Sequence, residues 1–362
     1  MVHVMVRRSP SATADNDVAR ILTEPGFASF PCDHMVQAKF RDGVWGHPEI
    51  VPYAPLTFDP STNFLHYGQS IFEGLKAYRH PDGEVGLFRP ERNAKRFNRS
   101  AVRLAMPEFP EEYFLDGIAA LLDLERRWVP DDPERSLYIR PFMLGTEVAL
   151  GVKPSADYLF LVIAAPAGSY FRNGVQPVKV WISEEYVRAA PGGTGEAKCA
   201  GNYAASLIAQ AQAADRGCDQ VVWLDAIERL WVEEMGGMNL FFVYGEGADA
   251  RLLTPELSGS LLPGITRESL LTLAADLGYD VGEGRISWHE WREGCEAGDI
   301  TEVFACGTAA VITPVGSVRS HTHSWEVGDG TPGPIAMRLR QELLDIQTGR
   351  APDPHRWARR IG

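Results

Sequence analysis

The stretch Gly192-Gly193-Thr194-Gly195-Glu196-Ala197-Lys198-Cys199-Ala200-Gly201-Asn202-Tyr203 places one lysine among glycines and small residues, just before an apolar run. Glycine reaches backbone conformations that other residues adopt only at a cost, and it lets another group approach closely. Two functional interpretations follow: a phosphate-cradling nucleotide loop, or a lysine that forms an imine with a carbonyl compound. The structural alternative is a surface turn with an incidental lysine.

The nucleotide loop can be tested from the letters alone. Its pattern requires Gly directly before the lysine and Ser or Thr directly after it, where the hydroxyl binds Mg²⁺. Ala197 and Cys199 occupy these two positions. The sequence therefore disfavours a nucleotide-binding protein and leaves the imine-forming lysine to be decided by the rest of the chain.

Composition indicates a soluble globular protein with small-molecule partners. The chain has 362 residues, a hydrophobic fraction of 45%, a charged fraction of 23% and a net charge of −13. This length accommodates two domains. The acidic balance argues against nucleic acid or an anionic membrane surface as a partner, since both favour basic patches.

The cysteines predict a reducing compartment. They are scattered, odd in number and without a Cys-x-x-Cys pair, so neither a disulfide framework nor a metal site is expected. No secretory leader pattern and no apolar run of about 20 residues is present, which predicts a cytoplasmic protein. The cysteines are Cys32, Cys199, Cys218, Cys295 and Cys306.

Patterning in the first half predicts a hairpin and a basic helix. Strand-like residues 35–40 and 44–45 flank the turn signal Arg41-Asp42-Gly43, while residues 1–30 show no sustained period and suggest a mobile arm. Pro90 to Leu104 is predicted as a helix. Its arginines follow a 4, 3, 4 spacing that places them on one face, as a candidate anion site. They are Arg92, Arg96, Arg99 and Arg103.

The second half predicts strands that alternate with helices. A helix from about Tyr203 to Arg216 is predicted to bury Ala204, Leu207, Ile208 and Ala211. We predict domains at residues 1–167 and 178–362, joined by a linker at 168–177.

Pyridoxal 5′-phosphate (PLP) chemistry needs a specific set of partners. A lysine must form the imine, a carboxylate must keep the pyridine nitrogen protonated, and an arginine with backbone amides must bind the phosphate. This sequence offers Lys198, Glu234 and Arg96, with Tyr203 for the ring oxygen and turns at Ile265-Thr266 and Gly307-Thr308.

Six ordered blocks resemble the class IV branched-chain aminotransferases, and the similarity runs from about Asp33 to the C-terminal helix. The blocks are Tyr67-Gly68-Gln69-Ser70-Ile71-Phe72-Glu73-Gly74-Leu75-Lys76-Ala77, Leu137-Tyr138-Ile139-Arg140-Pro141, Lys198-Cys199-Ala200-Gly201-Asn202-Tyr203, Glu234-Met235-Gly236-Gly237-Met238-Asn239, Leu262-Pro263-Gly264-Ile265-Thr266-Arg267 and Gly307-Thr308-Ala309.

The resemblance implies fold type IV, the D-amino-acid aminotransferase-like fold, with a small α+β domain and a larger barrel-like α/β domain around PLP. It also implies a homodimer in which Tyr67 reaches the partner's site. Lys198 would be the catalytic lysine. The cofactor would be bound by Arg96, Lys198, Tyr203, Glu234, Ile265, Thr266 and Thr308.

By the same resemblance, the substrates are branched-chain L-amino acids and 2-oxoglutarate. Arg140 with Tyr138 would bind the side-chain carboxylate of glutamate, and the amides of Ala309 and Ala310 with the Tyr67 hydroxyl would bind the α-carboxylate. Apolar wall would come from Phe30, Tyr67, Phe72, Tyr170 and Tyr203, each of which core packing would also explain.

Two departures and one rival stand beside this interpretation. Members with a redox Cys-x-x-Cys would carry cysteines at Ala310 and Thr313, so thiol regulation of that kind is not expected. Many members have Thr at Gly237, so one side-chain hydrogen bond near the substrate is expected to be missing. A D-amino-acid aminotransferase or an aminodeoxychorismate lyase of the same fold is the rival.

Overall fold

The computed structural model describes residues 2–169 and 174–361, and all statements on structure refer to them. These residues form two compact units. The first unit comprises residues 2–169, 197–200 and 345–361, and the second comprises residues 174–196 and 201–344.

The strands of the described chain are numbered in chain order. They are β1 Met5–Val6, β2 His34–Arg41, β3 Val44–Trp45, β4 Glu49–Pro52, β5 Ser70–Phe72, β6 Leu75–Arg79, β7 Val85–Phe88, β8 Ser136–Gly145, β9 Tyr158–Ala167, β10 Val178–Ser183, β11 Gln220–Leu224, β12 Val232–Met235, β13 Met238–Tyr244, β14 Arg251–Pro255, β15 Asp280–Gly284, β16 Ile300–Gly307, β17 Val311–Arg319, β18 Ser324–Glu326 and β19 Ala358–Ile361.

The α-helices are numbered in the same way. They are α1 Asp15–Thr23, α2 Asn63–Tyr67, α3 Pro90–Arg103, α4 Glu111–Leu124, α5 Ala200–Ala204, α6 Leu207–Asp215, α7 Ile265–Asp276, α8 Trp288–Ala297 and α9 Pro334–Gln347.

The first unit is a mostly antiparallel sheet covered by helices. Its strands follow the order β1-β4-β2-β9-β8-β6-β7-β19, with β3 on β2 and β5 on β8. Aromatic side chains fill the space between the sheet and helices α3 and α4. Phe109 stacks on Phe160 of β9 with ring centroids 3.8 Å apart, and Phe97 of α3 meets the same ring edge-on. Burial of such large side chains is the main stabilising contribution to this unit.

The second unit is built on a closed six-strand barrel. The strand order β12-β11-β10-β17-β16-β13 closes because β12 also pairs with β13, while β14, β15 and β18 extend the sheet. Alternate residues of each strand face the barrel core, as the two-residue period of a strand requires. Leu240 and Phe242 of β13 lie in this core, whereas Phe241 stacks on Phe304 on the other face. The predicted barrel-like second domain is confirmed.

The predicted hairpin and basic helix are confirmed. Asp42 and Gly43 connect β2 to β3 with φ values of 52° and 81°. Two consecutive positive φ values are typical of a type I′ turn, which matches the twist of the flanking strands. Helix α3 begins at Pro90, as predicted, and ends one residue before the expected Leu104.

The predicted division of the chain differs from the structure at two places. Residues 345–361 lie in the first unit, because β19 pairs antiparallel with β7. Residues 197–200 also lie there, and Cys199 bridges to Ile71 of β5. The predicted linker at 168–177 stays a prediction, since residues 170–173 lie outside the described residues.

The N-terminal region contains two elements that the sequence pattern did not predict. Strand β1 pairs with β4, and helix α1 buries Val18. Asp33 accepts hydrogen bonds from the Thr13 backbone (2.8 Å) and from Arg127 (2.6 Å). These long-range polar contacts fix the segment, and an apolar period cannot reveal them.

The prediction of one helix over 203–216 with an apolar buried face is wrong. The segment forms α5 and α6, separated at Ala205 and Ser206, where the Ser206 hydroxyl donates to the Tyr203 carbonyl oxygen (2.7 Å). Leu207 and Ile208 are 63% and 51% exposed, and Ala204 and Ala211 are exposed too. The buried face is instead formed by Ala209 and Ala213, small residues that pack near the indoles of Trp181 and Trp223.

Candidate active site

Lys198 is held by its backbone in the first unit. Its N–H donates to the Ser100 hydroxyl of α3 (2.9 Å), and its carbonyl oxygen accepts from the Phe72 N–H (3.0 Å). The lysine thus lies alongside β5, and its position does not depend on its own side chain. Its Nζ is 4.8 Å from the centroid of the Phe72 ring.

The other predicted substrate residues of β8 meet the same ring. Arg140 Cζ lies 4.7 Å from the Phe72 centroid, and Arg140 Nη2 donates to the Tyr138 hydroxyl (3.0 Å). The structure therefore brings together Lys198, an apolar ring, and a guanidinium with a phenol. An apolar surface beside a fixed cation suits ligands of two kinds, those with a hydrocarbon side chain and those with a carboxylate.

Gly74 makes this arrangement sterically feasible. A β-carbon at that position would lie 2.4 Å from the Tyr138 hydroxyl oxygen. No side chain other than hydrogen leaves the phenol where it meets Arg140.

The arginine stripe of α3 resolves into one buried and three exposed side chains. Arg96 is 4% exposed, whereas Arg92, Arg99 and Arg103 face outward. Arg96 forms a two-point ion pair with Glu73, with Nε–Oε1 at 2.7 Å and Nη2–Oε2 at 2.9 Å. Spacing along the helix could not separate Arg96 from the others, because all four lie within one face.

The charge of Arg96 determines the state of Glu73. Burial alone would raise the pKa of the Glu73 carboxyl, but the charge and hydrogen bonds of Arg96 hold this pKa below its usual range. The charge of Lys198 and the Asn93 amide act in the same direction. The carboxyl group is therefore ionised at neutral pH.

Glu234 is the buried carboxylate of the second unit. It lies on β12, is 2% exposed, and its Oε2 is 3.0 Å from Arg188 Nε. Its Oε1 accepts from the Leu262 N–H (2.6 Å) and the Asn239 amide (3.3 Å). Because the guanidinium balances the buried charge, a carboxylate can be kept in this apolar surrounding.

Arg188 also ties the glycine-rich loop to its surroundings. Its Nη2 donates to the carbonyl oxygens of Gly195 (3.1 Å) and Ser260 (2.6 Å). A β-carbon at Gly195 would lie 2.0 Å from the Ser260 oxygen, so this position accepts only glycine. The loop is packed by its carbonyl groups against a guanidinium and does not turn its amides around an anion.

Two turns present backbone amides in the second unit. Helix α7 begins at Ile265 and Thr266 after the N-cap Gly264, and no side chain caps its first turn. The first amides of a helix attract anions. The second turn, Thr308 to Ala310, joins β16 to β17 and ends at Val311, whose φ is 64°. A positive φ in a β-branched residue is strained and marks a constrained turn.

Tyr203 is 37% exposed and borders a cavity of about 220 Å³. Gly237 lines the same cavity, and a β-carbon there would lie 3.5 Å from the Tyr203 ring, an ordinary contact. The absence of a Thr side chain at Gly237 therefore leaves space beside the phenol.

The remaining predicted substrate residues are less defined. Phe30 and Tyr67 are 43% and 41% exposed, and the Tyr67 hydroxyl donates to the Leu150 carbonyl oxygen. Tyr170 lies outside the described residues. Ala310 is buried, while Ala309 is partly exposed.

Sequence reasoning did not assign roles to three residues in these surroundings: Glu73, Ser100 and Arg188. Glu73 stands inside the quoted block that begins at Tyr67, so its position was visible but its partner was not. Arg188 precedes the glycine-rich loop without any local signal.

Some features were sought and not found in the described residues. No group of three or more His, Cys, Asp or Glu side chains there could hold a metal ion. No helix among residues 2–169 and 174–361 has the length and apolar character needed to span a membrane.

A barrel unit with a buried arginine-paired carboxylate, and a unit with a backbone-held lysine, are what the chemistry of amino transfer requires. A family model described as Amino-transferase class IV matches residues 70–318. The chain belongs to the class IV aminotransferases, and enzymes of this class depend on PLP.

Individual relatives narrow the similarity. The branched-chain-amino-acid aminotransferase of Mycolicibacterium smegmatis is 59% identical over 94% of this chain and 93% of its own length. That of Mycobacterium tuberculosis H37Rv is 54% identical over 99% and 98%.

A solved branched-chain amino acid aminotransferase from T.th. was crystallised with pyridoxamine 5′-phosphate. Its TM-score is 0.73 at 32% identity, over 90% of this chain and 98% of that chain. Further crystals from the same source hold N-(5′-phosphopyridoxyl)-L-glutamate and 4-methylvaleric acid.

The residues present fit PLP on chemical grounds. The buried Glu234 carboxylate is matched to a protonated ring nitrogen, and the Arg96 guanidinium and the α7 amides are matched to a phosphate. The family assignment also removes the nucleotide-loop interpretation of the glycine-rich stretch.

Proposed function

We propose that this protein is a branched-chain-amino-acid aminotransferase, which transfers the amino group between L-leucine, L-isoleucine or L-valine and 2-oxoglutarate. The observation that carries the proposal is the Phe72 ring, which lies 4.8 Å from Lys198 Nζ and 4.7 Å from Arg140 Cζ. The ring offers contact to a branched hydrocarbon, and Arg140 with Tyr138 offers an ion pair to the glutamate side chain. One site thereby serves both halves of a ping-pong reaction.

PLP, when bound, supplies an electron-accepting ring that stabilises negative charge at the substrate Cα. Lys198 binds the cofactor covalently and, once released by substrate, carries the Cα proton as general base and then general acid. Glu234, held by Arg188, keeps the ring nitrogen protonated, and Tyr203 donates to the ring oxygen. The phosphate is bound by Arg96, Ile265, Thr266 and Thr308.

The amides of Ala309 and Ala310, with the Tyr67 hydroxyl, receive the substrate α-carboxylate. The strained φ of Val311 supports this role, since it fixes the direction of the preceding amides. Apolar wall comes from Phe30, Phe72, Tyr170 and Tyr203.

We also propose a homodimer in which Tyr67 serves the partner's site. Tyr67 stands in an exposed apolar patch of the first unit, and patches of this kind mark association surfaces. Its other members are 52% to 83% exposed: Leu65, Val148, Leu150 and Val152. The cysteines are all unpaired, which agrees with the predicted cytoplasmic location.

A panel of amino donors tests the proposed function against its rival of the same fold. L- and D-amino acids are assayed with 2-oxoglutarate as acceptor in the PLP-loaded protein. We expect L-Leu, L-Ile and L-Val to give the highest kcat/KM. Faster turnover of D-alanine, or release of pyruvate from aminodeoxychorismate, would establish the rival instead.

Gly74→Ala tests how the acceptor carboxylate is recognised. The added methyl group displaces the Tyr138 hydroxyl from Arg140, so we expect KM for 2-oxoglutarate to rise roughly tenfold through the lost charge-assisted hydrogen bond. KM for 4-methyl-2-oxopentanoate should change much less, because it uses the apolar ring.

Tyr138→Phe should reproduce this split, since it removes only the hydroxyl. Gly46→Ala is the matched control, as its β-carbon would make only an ordinary contact at 3.5 Å. Equal changes in KM for both acceptors would contradict the assigned role of Arg140 and Tyr138.

A further inference from the structure

Glu73 is a fully buried carboxylate whose hydrogen bonds are directed at the predicted phosphate-binding arginine. It is 0% exposed and lies between β5 and β6, with its own N–H bonded to the Pro141 carbonyl oxygen (2.8 Å). Besides the two contacts from Arg96, its Oε2 accepts from the Asn93 amide (2.8 Å) and the Gly74 N–H (3.2 Å). Every contact fixes the direction of the carboxylate.

The pair with Glu73 determines the orientation of Arg96. Arginine is a long side chain with many rotamers, and a two-point ion pair selects one of them. Glu73 engages Nε and Nη2, which form one edge of the guanidinium. Because a guanidinium carries five N–H donors, binding of a carboxylate along one edge is compatible with binding of a phosphate along another.

The same cluster reaches Lys198 through the backbone of α3. The Ser100 hydroxyl donates to the Arg96 carbonyl oxygen (3.0 Å) and accepts from the Lys198 N–H (2.9 Å). Phe72, the neighbour of Glu73, donates to the Lys198 carbonyl oxygen. The carboxylate is also electrostatically coupled to the Lys198 amine, whose charge helps to lower the pKa of Glu73.

We propose that Glu73 is a positioning residue for amino transfer: it orients Arg96 toward the cofactor phosphate, and its negative charge favours the protonated form of the lysine–cofactor linkage. The inference rests on the proposed function, since it concerns the same site. Glu73 itself touches neither substrate nor cofactor. Its effect is transmitted by the Arg96 guanidinium and by its charge.

Glu73→Gln is the principal test, with PLP affinity and absorbance as readouts. Loss of the charged partner leaves Arg96 misdirected, so we expect the dissociation constant for PLP to rise roughly tenfold. Loss of the negative charge should move the pH midpoint of the bound cofactor's visible absorbance downward by about one unit. A purely structural role would not move this midpoint.

Two further variants make the result decisive. Glu84→Gln removes a partly exposed ion pair with Arg126 (3.1 Å), and we expect both readouts to match the unaltered protein. Glu73→Asp keeps the charge but shortens the side chain, so the midpoint should be retained while PLP binds more weakly. Glu73→Asp also serves as the test if Glu73→Gln does not fold.

A folded Glu73→Gln protein that binds PLP within twofold of the unaltered protein, with the same midpoint, would overturn the inference. So would a Glu73→Asp protein with unchanged PLP affinity. If the unaltered protein itself neither binds PLP nor transfers amino groups, the proposed function fails instead, and the two failures are distinguishable.

Discussion

Lys198→Ala should reduce kcat for leucine with 2-oxoglutarate by at least about 10³-fold, because one side chain supplies both the covalent link to the cofactor and the proton transfer. The fold should be retained. The Lys198 backbone N–H and carbonyl oxygen bond to Ser100 and Phe72, and alanine keeps both contacts. Steady-state kinetics with PLP in excess, together with circular dichroism, measures the two parts of this expectation.

Lys179→Ala is the matched control for that substitution. Lys179 lies on β10 with an exposed side chain, so its loss should leave kcat unchanged. Retention of more than about a tenth of normal turnover in Lys198→Ala would remove this residue from its catalytic role.

Gly195→Ala should destabilise the second unit by about 3 kcal/mol, at the upper end for overpacking. The new β-carbon would lie 2.0 Å from the Ser260 carbonyl oxygen and 2.6 Å from the Ala189 β-carbon. Neither can yield easily, because one is main chain and is also bonded to Arg188 (2.6 Å). Displacing Arg188 in turn disturbs Glu234, so weaker cofactor binding should accompany the loss of stability.

Urea unfolding with and without PLP measures this effect. Gly201→Ala is the control within the same stretch, because a β-carbon there meets nothing within 4 Å. In a helix, alanine is favoured over glycine, so Gly201→Ala should be neutral or slightly stabilising. Equal stability of the two variants would show that the loop is not packed as described.

Local pattern was sufficient where the determining contacts lie close together in the chain. The Asp42-Gly43 turn and the Pro90 start of α3 were predicted from dipeptide chemistry and from the fixed φ of proline. The family blocks led to Lys198 and to the barrel. Agreement at these points comes from short-range constraints that a few letters encode.

Pattern failed where burial depends on a distant partner. Four arginines share one face of α3, and only the contact of Arg96 with Glu73, 23 residues earlier, distinguishes the buried one. Arg188 meets Glu234 in the same long-range way. Leu207 and Ile208 mislead for a related reason, since α6 packs by small alanines near two tryptophans and leaves its large apolar residues outside.

The most direct measurement of the central claim is the position of the covalent link between protein and cofactor. The PLP-loaded protein is reduced with borohydride, which converts a lysine–pyridoxal linkage into a stable amine, and then digested and mapped by mass spectrometry. We predict loss of the yellow colour and a phosphopyridoxyl adduct on Lys198. An adduct confined to another lysine, or a colourless protein that yields none, would contradict the account.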